Sequence, residues 1–155
     1  MQVSIFSARL IHDRSGNAPI IHNIALTSDE RRKSIISFMP KGVKEGNEVR
    51  LQLFGNEARG TILKHGNTLL IEETAEIVQI SAKPEPVMTA IATDIFLLLR
   101  SAYHLGNRHV PIEITTDWLR FQPDPVLKDM LEQMGLVVSE QVVPFHPEAG
   151  AYHSH

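Results

Sequence analysis

Two histidines flank an abrupt corner in the chain, His104-Leu105-Gly106-Asn107-Arg108-His109, with Val110-Pro111 directly behind. A run containing Ile95, Phe96, Leu97, Leu98, Leu99, Ala102 and Tyr103 leads into it. That run is too apolar for a solvated helix and predicts one buried on most sides. Gly106 offers the positive φ that a helix end commonly needs, so the helix is expected to stop between Leu105 and Asn107. Pro111 excludes helix and drives Val110 to an extended conformation, which puts His109 at the mouth of a strand. His104, in the last turn, complements the carbonyl end of the helix dipole, and that structural role suffices for it. His109 lies beyond that influence, and the residues alone leave it open between a turn residue and a ligand. A further pair closes the sequence, His153-Ser154-His155. Its alternating imidazoles can meet on one side of an extended segment, although a polar terminus without function has the same composition.

The chain has eight histidines and no cysteine. Disulfides, thiolate nucleophiles and sulfur-ligated metals are therefore excluded together, and any metal must be held by nitrogen and oxygen. No G-x-S-x-G elbow, Walker loop, G-x-G-x-x-G or H-E-x-x-H occurs. An enzyme would have to use His104 and His109 as acid and base without a carboxylate to orient either, so the chain reads as a non-enzyme with no catalytic residues. One imidazole holds a metal poorly, but a residue near the twofold axis of a dimer meets its own copy, so His109 would supply two ligands. His153 and His155 could add more. Two to four imidazole nitrogens plus water or carboxylate oxygen suit divalent nickel, zinc or copper and not Cu(I). Ordering a tail costs about 1 to 2 kcal/mol per residue, so such a site opens readily and fits transfer better than catalysis. Imidazole binds metal only when neutral, which predicts that affinity fades as pH falls through about 6 to 7.

These groups need a scaffold. Residues 1–82 read as β-rich, with candidate strands at 20–26, 49–54, 60–63, 69–71 and 75–80 and turn signals such as Ser15-Gly16-Asn17, Gly46-Asn47 and Gly66-Asn67. Short strands at close spacing predict a small β-sandwich or half-barrel. His12, His22 and His65 are scattered through it without ligand spacing. Pro84 and Pro86, among polar residues, mark a domain boundary. Residues 86–145 then predict strand 87–92, helix 94–105, strands 109–115 and 118–122, helix 125–134 and strand 136–143. Asp124 is a natural N-cap for the second helix, and Pro125 suits its first position. Leu127, Met130, Leu131 and Met134 recur at helical spacing, and Gly135 closes it. The order β-α-β-β-α-β is the ferredoxin-like one, so the fold class is α+β. Residues 146–155 are expected to form a flexible tail.

Composition sets the outer limits. With 43% hydrophobic and 21% charged residues the chain is ordinary globular material. A net charge of -3, with Arg31-Arg32-Lys33 as the densest basic cluster, argues against a nucleic-acid partner. No apolar run nears the roughly 20 residues of a membrane span and no secretion signal opens the sequence, so a cytoplasmic protein with no membrane partner is expected.

The string Ala102-Tyr103-His104-Leu105-Gly106-Asn107-Arg108-His109-Val110-Pro111 is followed by Asp124, Val126, Leu127, Met130 and Leu131, and then by Pro144-Phe145 and Pro147-Glu148-Ala149-Gly150-Ala151-Tyr152. This pattern resembles the urease accessory protein UreE family, which supplies nickel during urease maturation, and the likeness covers the chain from about Pro86 onward. The resemblance implies a homodimer formed through the ferredoxin-like metal-binding domain. It implies His109 at the interface as nickel ligand, with His153 and His155 as additional ligands. It also implies an N-terminal domain of peptide-binding type, pairing of dimers around a metal, and hand-over to the UreG GTPase and the urease apoprotein complex. Ni(II) would be cargo, and Zn(II) or Cu(II) can use the same ligands. The chain departs from the pattern at Phe121-Gln122-Pro123-Asp124, where some members carry further histidines. It departs also at Glu57-Ala58-Arg59-Gly60 and Gly66-Asn67, which replace the usual turns. His146 occupies a variable slot and is read as incidental. The competing functions are a metal-independent peptide-binding co-chaperone and a general buffer for nickel, zinc or copper.

Overall fold

The computed structural model describes residues 2–11, 19–40, 47–54 and 60–150. The chain is α+β and divides after Ala82 into two compact units.

The first unit holds β1 (Gln2–Ile11), β2 (Ile20–Leu26), β3 (Ile35–Phe38), β4 (Asn47–Leu53), β5 (Thr68–Ile71) and β6 (Glu76–Ala82). They form one mixed sheet in the order β2-β6-β5-β1-β4-β3, with β1·β4 and β2·β6 parallel. Alternate residues point inward: Phe6, Ala8 and Leu10 of β1 join Val49, Leu51 and Leu53 of β4 in a core with Ile24, Ile36, Leu69 and Ile80. Laid flat, β2 and β3 would stand about 24 Å apart at about 4.8 Å per strand spacing. Only residues 27–34 join them, and part of that span is wound into the 3-10 turn Glu30–Arg32. The sheet therefore curls until the rings of His22 on β2 and Phe38 on β3 stand 5.6 Å apart. It is a single curled sheet, not two stacked ones. The strand expected at 60–63 does not form, because the Leu63 amide donates to the carbonyl of Arg31 in the 3-10 turn instead of to a strand.

The second unit holds β7 (Glu85–Ile91), α1 (Ile95–Asn107), β8 (Ile112–Ile114), β9 (Trp118–Phe121), α2 (Pro125–Gln133) and β10 (Val137–Val143). Its sheet runs β10-β7-β9-β8, antiparallel throughout. Leu98 and Leu105 of α1 and Leu127 and Leu131 of α2 share one core with Met88, Ala90, Ile112, Leu119 and Phe121, which places both helices on one face of the sheet. Strand β7 starts at Glu85 despite Pro86, whose missing N–H does no harm: pairing to β9 begins only at Met88, and Pro86 faces β10 alone. Strand β8 has three residues where seven were expected. The amides of His109 and Val110 turn back into the helix end and Pro111 has none, so the ladder starts at Ile112.

Two expectations need correction. Helix α1 is not buried on most sides, since it lies against a single sheet face and leaves Ile95, Phe96, Leu99 and Tyr103 exposed. Nor is the chain after β10 a loose tail from its root. Phe145 is fully buried, and the Glu148 amide donates to the Ile112 carbonyl at 2.7 Å, covering the outer edge of β8. His153 and His155 lie outside the described residues, as does His12. Among the described residues no helix is long and apolar enough to cross a membrane.

Candidate functional site

Helix α1 is set at both ends by local chemistry. At its start the Asp94 carboxylate accepts the Leu97 amide at 2.8 Å, a side-chain cap on an otherwise orphaned donor. At its end the Val110 amide donates to Leu105 O at 3.1 Å and the His109 amide to Gly106 O at 2.9 Å. This paired closure demands one residue in the left-handed region. That residue is His109, with φ 58°. The positive φ expected at Gly106 is not there; Gly106 is helical, and a Cβ on it would meet nothing within 4 Å.

Helix α2 closes with the same pair of bonds, Leu136 N–H to Leu131 O and Gly135 N–H to Glu132 O, both at 3.0 Å. Its left-handed residue is Gly135, φ 102°. At the equivalent position α1 carries an imidazole, where a side chain costs roughly 1 to 2 kcal/mol. Among the described residues Ala75 is the other non-glycine at positive φ. Backbone strain of this kind clusters at active sites and ligand clamps.

His109 is exposed. His104 is half-buried, with its ring edge-on to Tyr103 at 5.4 Å. Elsewhere, His65 accepts the Ala82 amide through Nδ1 at 3.2 Å, and the His146 amide donates to Glu113 Oε2 at 3.1 Å. Among the described residues no three His, Asp or Glu side chains gather where they could hold a metal ion. The structure thus brings His109 to the surface at the helix corner, and among the described residues no three-ligand cluster includes it.

Sequence reasoning missed two features beside this corner. Ile95, Phe96, Leu99 and Tyr103, exposed by 59, 67, 60 and 68%, follow one another at helical spacing along α1. Its signal was available: the run 95–103 carries more apolar residues than one sheet face can cover. The second is a polar cluster behind β8. Arg120 lies over the Trp118 ring at 4.1 Å, donates through Nε to Thr89 Oγ1 at 3.1 Å, and reaches Glu113 Oε2 at 3.4 Å. In the first unit, both oxygens of Glu73 accept the Ser7 amide at 2.8 and 2.9 Å, which holds that carboxyl below its usual range. The Arg50 side chain does the same for Glu48.

Comparison with known proteins first assigns a class to the second unit. Residues 85–155 match the family model described as UreE urease accessory protein, C-terminal domain. Relatives extend the likeness along the chain. The urease accessory protein UreE of Nostoc punctiforme is 49% identical over 91% of this chain and 90% of its own. Those of Microcystis aeruginosa and Thermosynechococcus vestitus are 44% and 45% identical, over 95% and 90% of this chain and 90% and 91% of theirs. The chain belongs to the urease accessory protein UreE family.

Proposed function

We propose that this protein carries Ni(II) as cargo for assembly of the urease active site, and that it does so as a homodimer rather than as an enzyme. Paired His109 imidazoles form the centre of a shared site, which His153 and His155 close and reopen; Zn(II) or Cu(II) competes for the same nitrogens. The observation that carries this is His109 itself, an exposed imidazole at φ 58° in a closure that α2 completes with glycine. Membership of a family named for urease maturation supports the destination. A dimer is supported by the α1 stripe, which runs toward the helix end bearing His109; burying each such side chain contributes about 1.5 to 3 kcal/mol. The order β10-β7-β9-β8 with both helices on one face supports a ferredoxin-like metal-binding and dimerisation domain over residues 86–145, after a peptide-binding-type domain over residues 1–82. Hand-over to the UreG GTPase and the urease apoprotein complex, pairing of dimers around metal, and a cytoplasmic location complete the proposal.

The decisive measurement is nickel calorimetry on His109→Gly. The native protein should bind about one ion per dimer, and the variant at least tenfold more weakly, a loss of about 1.4 kcal/mol or more. Undiminished binding would end the proposal.

A second reading, capture of peptides without metal, draws on Ile5 and Ile35, which stand exposed on the outer face of the first unit's sheet. A peptide array probed with and without nickel separates the two: client binding at full strength without metal favours the second.

A further inference from the structure

The Glu113 carboxylate sits where two structures meet. From behind, Arg120 reaches its Oε2, with the guanidinium fixed over Trp118 and by Thr89, whose hydroxyl donates in turn to Gln141 at 2.7 Å. The ion pair is largely shielded, with side chains 14 and 16% exposed. From in front, the same oxygen accepts the His146 amide. Two residues on, the Glu148 amide bonds Ile112. As the segment advances from 146 to 148 its partners step back from Glu113 to Ile112. It therefore runs antiparallel to β8 and heads toward His109.

We propose that Glu113, held by Arg120, is a positioning residue that docks the C-terminal segment on β8 and aims it at the His109 corner; this rests on the nickel reading above. Chain geometry allows the reach. His109 is three residues from Ile112, about 10 Å at most, whereas five residues from Glu148 to His153 can span about 17 Å. Undocked, the free length counts from buried Phe145 and becomes eight residues. Effective concentration falls roughly as the −3/2 power of length, so the tail imidazoles reach the ion about twofold less often, and somewhat less again without a set direction.

The test is a double-mutant cycle in the full chain, joining Glu113→Ala to His153→Ala/His155→Ala, with amide exchange and nickel affinity measured in each. In Glu113→Ala the His146 and Glu148 amides should exchange at least tenfold faster. Nickel should bind about two- to threefold more weakly when the tail imidazoles are present, and no differently when they are absent. Glu113→Gln, which keeps an acceptor oxygen, should restore most of the protection and guards against a variant that simply fails to fold. Unchanged exchange overturns the docking, and an equal affinity loss in both backgrounds overturns the aiming. Should the tail histidines prove irrelevant to nickel binding, delivery by the tail is refuted, while the exchange data still decide the docking.

Discussion

At the scale of one residue, the corner was legible in the sequence but its strained member was not. Gly106 and Asn107 draw attention because they tolerate positive φ, yet neither carries it. What decides is the last core anchor of the helix. Leu105 is fully buried, the Val110 amide bonds its carbonyl, and the left-handed position falls four residues beyond, at His109. In α2 the same count from buried Leu131 lands on Gly135. The strain gives a prediction that separates folding from function. His109→Gly should be as stable as the native protein or more so, by up to about 1 kcal/mol in urea melts, because glycine adopts this φ freely. Destabilisation by that substitution would mean the imidazole is held there by packing, and the argument from strain would fail.

Elements differed in how clearly the sequence announced them. The start, periodicity and stop of α2 could all be read, because Asp124, Pro125 and Gly135 each act locally; the Asp124 carboxylate does accept the Val126 and Leu127 amides. Helix α1 was placed correctly but its surroundings were not, since periodicity reports how many apolar faces a helix has and not what covers each. In the homodimer proposed above its outer stripe forms the interface. Leu99→Asp, which sets a charge amid Phe96 and Tyr103, should weaken dimerisation by about two orders of magnitude, from roughly 1.5 kcal/mol lost on each of two protomers. Sedimentation velocity reads the result. A variant that sediments like the native protein would move the interface away from α1.

For the whole molecule, the chain divides after Ala82 into a unit of strands β1 to β6 and a unit that holds both α-helices. Strand partners were illegible: alternation says which residues face inward but not which strand lies alongside, and the parallel pairs β1·β4 and β2·β6 leave no local trace. Those distant pairings have kinetic weight, because long-range contacts slow folding. The single tryptophan, Trp118, lies in the second unit, so its fluorescence reports that unit alone. On refolding it should recover before the far-ultraviolet dichroism, which reports the strands of both units, does. Coincident traces would show instead that the two parts fold as one.

The central place of β1 bears on synthesis. Both of its neighbours, β4 and β5, lie far downstream of it, so a nascent chain cannot complete its pairing until Ile71 has left the ribosome. Phe6 has no strand to lie against until β4 emerges and Leu10 none until β5 does, while β1 and β3 can both zip onto β4 as soon as it is made. Until the sheet closes, the open edges of its early strands are exposed to mispairing with other chains.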